Sequence, residues 1–243
     1  MRLLRTGVPI PERAAGGQDH DKNANAETFE HQRGLAVLLD YVDWSVRGAL
    51  PMPNQNLPTR YSAVAQAFHW IIATLIVTQF VLFYLEDDLP IGAHKLALLA
   101  RHKSVGMTVL MLAILRLLWR LKNPPPALPP GISPLQRKLA RATHIAFYVL
   151  LFAMPLTGWM MSSAKNYSVS WFGLFTWPNL IGKNAAAYDL LHATHEILSD
   201  ILFAIAVLHI LAALKHHFWD KDDVLLRMLP LFKPDKIKSE KRS

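Results

Sequence analysis

Four apolar segments, residues 63–85, 104–121, 139–162 and 188–214, are set apart by stretches rich in charge, proline or aromatic residues. Each has the ~20 residues a helix needs to cross the hydrocarbon core of a bilayer. In lipid the backbone must satisfy its own hydrogen bonds, so all four are expected to be helices. The pattern predicts an all-α fold, an integral membrane four-helix bundle. Residues 1–60 carry no such pattern. Residues 13–25 are polar and rich in Gly, Asp and Asn, and read as disordered. Residues 35–50 suit one short amphipathic helix. No apolar run opens the chain, so no cleavable signal peptide is expected. Met52 stands just before the first span as an alternative start, which leaves an over-extended start or a functional tail as equal readings of residues 1–51. The chain thus divides into a polar tail (1–60), a transmembrane domain (61–218) and a basic tail (219–243).

Composition narrows the chemistry. At 52% hydrophobic residues over 243 positions, with a mean hydropathy of +0.19, the chain is too apolar for an ordinary soluble domain. Cysteine is absent. That excludes disulfides, cysteine-ligated iron–sulfur clusters and covalent c-type haem, so any haem here is non-covalent and b-type. The net charge of +8 is explained by cytoplasmic lysine and arginine rather than by nucleic-acid binding.

The loops set an orientation. Residues 120–141 hold five Lys/Arg and a proline-rich stretch, and the tail after Lys215 holds seven more. The loop of residues 163–189 has only Lys165 and Lys183; the first loop opens with Glu86, Asp87 and Asp88 and has three basic residues near the second span. The positive-inside rule places both termini in the cytoplasm. Trp159, Trp171 and Trp177 then fit an aromatic belt on the outer side, and Trp70, Trp119 and Trp219 one on the inner side.

Histidines fall at matched depths in this frame. His195 and His209 lie fourteen residues apart on the fourth segment. On a helix that is a rise of ~21 Å and a turn of roughly 1400°, about 40° short of four full turns. Both imidazoles leave one face, about two-thirds of a membrane thickness apart. His69 starts an outward-running helix and is inner. His102 starts an inward-running one and is outer. Depth pairs His69 with His209 and His102 with His195, as two stacked bis-histidine haems need. Two axial nitrogens per iron leave no open position, which suits electron transfer. A lone helical histidine is more often a core residue, but polar groups inside a membrane are costly and usually functional. His192 lies ~100° off the shared face and is the weaker outer ligand, with a propionate or quinone contact as its alternative. His144 lies at inner depth and rivals His69 on geometry alone. His94 falls in the outer loop, His216 and His217 at the cytoplasmic interface, and His20 and His31 in the tail.

Haem propionates are anionic and need cationic or donor partners. Arg101 and Lys103 flank His102, and Arg116, Arg120 and Lys215 lie at inner depth. Arg120 and Lys215 suit snorkelling equally well; Arg116 lies deeper and points to a haem edge. Gly106 and Gly158 leave room for a flat macrocycle or for close helix packing.

The combination of Phe68-His69-Trp70, Arg101-His102-Lys-Ser-Val-Gly106, Leu115-Arg116-Leu-Leu-Trp119-Arg120, Ala142-Thr-His144, His195-Glu196, Leu208-His209 and the stretch from Lys215 to Met228 resembles the bacterial cytochrome b561 family. These are four-helix di-haem membrane cytochromes. The resemblance covers about residues 61–229 and leaves residues 1–55 outside it. It implies that His69, His102, His195 and His209 are the ligands and His144 is not. It also implies exchange of electrons with the quinone pool, with superoxide as a donor in some members.

The expected function is electron transfer across the bacterial inner membrane, between an outer donor and quinone, through two haem b groups. Two alternatives remain. One is the membrane-anchor cytochrome of a hydrogenase or dehydrogenase complex. The other is a histidine-based transition-metal carrier, which lacks an acidic path because the helices hold few carboxylates beyond Glu196 and Asp200.

Overall fold

Helix starts are marked by oxygen-bearing caps. In the computed structural model, which describes residues 60–126 and 131–230, α1 (Ala63–Asp87) is capped by Ser62 and α3 (Pro134–Ala164) by Ser133. Ser133 forms a reciprocal capping box with Gln136, with Pro134 at the first helical position, where its missing N–H costs nothing. α4 (Ala185–Phe218) is capped by Asn184. α2 (Ala93–Lys122) starts after Gly92 without a side-chain cap. The expectations placed on residues 1–59, including the short amphipathic helix and Met52, lie outside the described residues, as do residues 231–243.

All four helices are long and apolar enough to cross a membrane, and the protein is a four-helix membrane bundle. Large apolar side chains such as Val77, Tyr84, Leu190, Leu208 and Leu211 are exposed on its outside, where lipid is their solvent. α2 begins eleven residues before the apolar segment read from the sequence. Its first turns carry His94, Lys95, Arg101 and Lys103, which lower the hydropathy without breaking the helix. His94 is therefore helical rather than in the loop, and His102 lies well inside α2.

Consecutive helices pack side by side, α1 on α2, α2 on α3 and α3 on α4. The backbone of α4 packs chiefly on α3. The slot between α4 and the α1–α2 pair is crossed by side chains. The core sits on the other side, where Ile72, Val109, Ala113 and Leu151 join α1, α2 and α3. Ala113 is fully buried, and its small side chain lets the helices approach. α3 contains Pro155, which leaves the carbonyl of Leu151 without its usual donor.

One end of the bundle carries an antiparallel hairpin, β1 (Val169–Trp171) with β2 (Phe175–Trp177), in what the sequence showed only as a loop. Ser104 of α2 holds it. Its hydroxyl lies 3.0 Å from the Ser170 carbonyl and accepts from the Phe172 N–H at 3.0 Å. Trp171 donates to the Thr108 hydroxyl at 3.0 Å, and Trp159 to the Pro178 carbonyl at 3.0 Å. These belt tryptophans thus also pin the hairpin.

The opposite, terminal end is tied by the segment after α4. A 3₁₀ turn, Leu226–Met228, lies against the start of α1. Gln66 donates to the Arg227 carbonyl at 3.0 Å, Trp70 to the Met228 carbonyl at 2.9 Å, and Arg60 to the Leu229 carbonyl. Lys215 meets both Asp220 oxygens at 2.7 Å, and His216 meets Asp222 at 2.6 Å. The acidic residues following α4 are thus neutralised locally.

Candidate functional site

Two histidine levels face the slot. At the hairpin end the rings of His102 (α2) and His195 (α4) stand 6.4 Å apart, centre to centre, at 65°. At the terminal end those of His69 (α1) and His209 (α4) stand 6.3 Å apart at 63°. A metal–imidazole bond is about 2 Å, and each nitrogen is roughly 1 Å from its ring centre, so two imidazoles on opposite sides of one metal stand about 6 Å apart. Both pairs have that span, and both bridge the slot. Between the levels, Phe80 of α1 meets Phe203 of α4 edge-on at 5.5 Å.

At the hairpin-end level two glycines let neighbouring side chains come close. A Cβ at Gly158 would lie 3.2 Å from His195 Cε1, and a Cβ at Gly106 3.0 Å from Gln79 Nε2. The Gln79 Oε1 is buried without a hydrogen-bond partner. Glycine permits both close approaches, and the unpaired amide oxygen marks a polar wall. His195 Nδ1 lies 3.0 Å from the Thr157 hydroxyl, which itself reaches the Ala153 and Met154 carbonyls at 2.9 Å. A hydroxyl donating to a carbonyl accepts from Nδ1–H. That fixes the tautomer and leaves Nε2 as the free base. Thr157 and Gln79 were not singled out in the sequence; Thr157 directly precedes Gly158, which was.

The terminal-end level is built differently. Arg116 Nη2 lies 3.5 Å from His69 Nδ1, at the outer limit of hydrogen bonding. Its guanidinium carbon is 5.9 Å from the Tyr148 ring centre, and that of Arg120 is 5.7 Å from the same ring. Phe147 packs edge-on against His209 at 5.2 Å. A third histidine joins this level, since the His144 ring is 6.1 Å from that of His209. The rivalry of His144 with His69 on geometry is thus reproduced in three dimensions.

The remaining candidates disperse. Lys103 extends over the Tyr167 ring at 5.7 Å, and Arg101 is exposed. His192 pairs with Glu196 at 3.4 Å and packs on Tyr188 at 5.6 Å; Lys165 covers the Tyr188 ring at 3.9 Å. Lys215 faces Asp220 rather than the slot.

Imidazole pairs between membrane helices, at the span of two ligands on one metal, fit a membrane cytochrome. Residues 60–231 match the family described as prokaryotic cytochrome b561, and the chain belongs to that family. It is similar to "Cytochrome b561 homolog 2" of Escherichia coli (strain K12), at 40% identity over 181 residues, 73% of this chain and 95% of the relative. It is also similar to "Probable superoxide oxidase CybB" of Yersinia pestis, at 32% identity over 171 residues, 70% of this chain and 96% of the relative. "Cytochrome b561 homolog 1" of Escherichia coli (strain K12) is 28% identical over 172 residues, 70% of this chain and 97% of that relative. The protein is a haem-binding, electron-transferring bacterial membrane protein, and family membership implies haem b.

Proposed function

We propose that the protein carries two haem b groups and relays electrons across the bacterial inner membrane, from a donor on the outer side to quinone. The observation that carries this reading is the two imidazole pairs, 6.4 and 6.3 Å between ring centres, bridging one slot at two depths. His102 and His195 hold the outer iron at the hairpin end. His69 and His209 hold the inner iron at the terminal end, with both termini cytoplasmic. Residues 61–218 form the haem-bearing domain, flanked by the two tails. Arg116 and Arg120 supply cationic partners for the inner propionates, and Arg101 and Lys103 for the outer ones.

Bound haem supplies a reversible one-electron couple with both axial positions filled. The chain's residues do the rest. Thr157 holds the His195 tautomer, the hairpin covers the outer end, and the helices keep water from the irons. The name of the Yersinia pestis relative supports superoxide as the outer donor. Each superoxide yields one electron and becomes dioxygen, so two are consumed for each quinone that takes two electrons and two protons to become quinol. Acid-acetone extraction of the purified protein should release all haem, and a pyridine haemochrome assay should give about two haems per chain. A value near one, or haem that resists extraction, overturns the reading.

A further inference from the structure

We infer that the inner haem has the higher reduction potential of the two, and that Arg116 is the residue that sets it apart. The inference rests on the two-haem reading above and gives its electron flow a built-in direction. Both haems bring the same carboxylates and both are held by two imidazoles, so any difference between them comes from what the chain places around them.

At the inner level the chain places positive charge. Arg116 is half-buried within its membrane span, with Nη2 3.5 Å from His69 Nδ1. Its neighbours are the Tyr148 ring and Arg120, which faces the same ring. Among the described residues no carboxylate pairs with Arg116; the ion pairs of this end join Lys215 to Asp220, His216 to Asp220 and Asp222, and Arg227 to Asp223. Each haem brings its own propionates alike, and in a medium of low dielectric a cation that no carboxylate of the chain offsets disfavours the ferric state, which carries one more positive charge than the ferrous. The contact on the ligand acts in the same sense. A proton acceptor on the far nitrogen of an axial imidazole makes it more basic and favours ferric iron. His69 faces a guanidinium, which can only donate.

At the outer level the surroundings differ. His195 Nδ1 meets the Thr157 hydroxyl at 3.0 Å. That ligand therefore has an acceptor, which His69 lacks. The nearby cations are less engaged: the Lys103 ammonium is drawn over Tyr167, and Arg101 is exposed. An electron that leaves the outer iron, ferrous to ferric, and reduces the inner iron, ferric to ferrous, then runs downhill toward the cytoplasmic side.

A redox titration followed by absorption spectroscopy tests this. His195→Ala and His209→Ala, each lacking one haem, assign the two components of the unsubstituted protein. The expected result is a higher midpoint for the inner component. Arg116→Gln should shift that component to lower potential and leave the outer one in place, and Arg116→Lys, which keeps the charge, should restore much of the shift. Two haems with the outer one higher overturn the inference and leave the two-haem reading standing. Equal shifts of both components in Arg116→Gln also overturn it. If Arg116→Gln loses the inner haem, the order of the two potentials in the unsubstituted protein and the position of the inner component in Arg116→Lys still decide. A single haem per chain overturns the two-haem reading and this inference with it.

Discussion

His195 leans on Gly158: a Cβ at position 158 would come within 3.2 Å of the imidazole Cε1 and 3.6 Å of its Nδ1. The smallest residue on α3 thus faces the outer ligand on α4. Gly158→Val should push the ring out of position, because a packed interior has no free space to take the extra carbons. The expected outcome is loss of the outer haem with retention of the inner one, read as a fall in haem per chain from about two to about one. Full haem content with an unchanged spectrum would show that this contact does not hold the ligand.

Removing ligands should empty the sites one side at a time. His209→Ala and His69→Ala should each lose the inner haem, and His195→Ala and His102→Ala the outer one. The two levels are fourteen residues, ~21 Å, apart along α4, so neither loss disturbs the other directly. His144→Ala should keep both haems. If His144→Ala loses the inner haem while His69→Ala retains it, α3 rather than α1 supplies the ligand and the inner pairing fails.

Orientation can be checked without haem. Reporter fusions at Arg227 and at Lys165 should report opposite compartments, with Arg227 cytoplasmic, because the basic loops and tail lie at the terminal end. Finding both on one side would remove the frame on which inner and outer are assigned.

The strap on α1 has its own signature. Trp70→Phe and Gln66→Leu each remove one donor to the carbonyls of Met228 and Arg227. A lost hydrogen bond is worth about 1 kcal/mol, roughly a fivefold change in the docking equilibrium. Trypsin applied from the cytoplasmic side should cut after Arg227 faster in either variant, and faster still in both together. Unchanged cleavage would mean that these bonds do not hold the segment down.

The spans were legible because a bilayer demands continuous apolar runs. Residues 63–85 became Ala63–Asp87 and residues 188–214 became Ala185–Phe218. The start of α2 was missed because hydropathy registers burial in lipid, and the first turns of this helix, with Lys95 and Arg101, rise out of it. The meeting of His102 with His195 followed from helix periodicity and depth; for His209 these left His69 and His144 as rivals, and the resemblance chose His69. The partners at the two levels did not follow in this way. Thr157 and Tyr148 are ordinary residues of α3, and only packing makes the one a neighbour of His195 and the other of Arg116. The hairpin was invisible because its strands have three residues each, too few to show an alternating pattern.

α4 is one unbroken helix of 34 residues, and the stretch from His195 to His209 contains neither proline nor glycine. Kinks arise at such residues, and α4 has none there. Both irons would hang from one stiff rod, so their spacing is a property of covalent geometry rather than of helix packing. Electron tunnelling falls steeply with distance, and here that distance does not breathe when α1, α2 or α3 shift. With a haem at each level, an electron would cross without a conformational step of the chain. One residue inserted between the two histidines would turn one of them by ~100° and break the line.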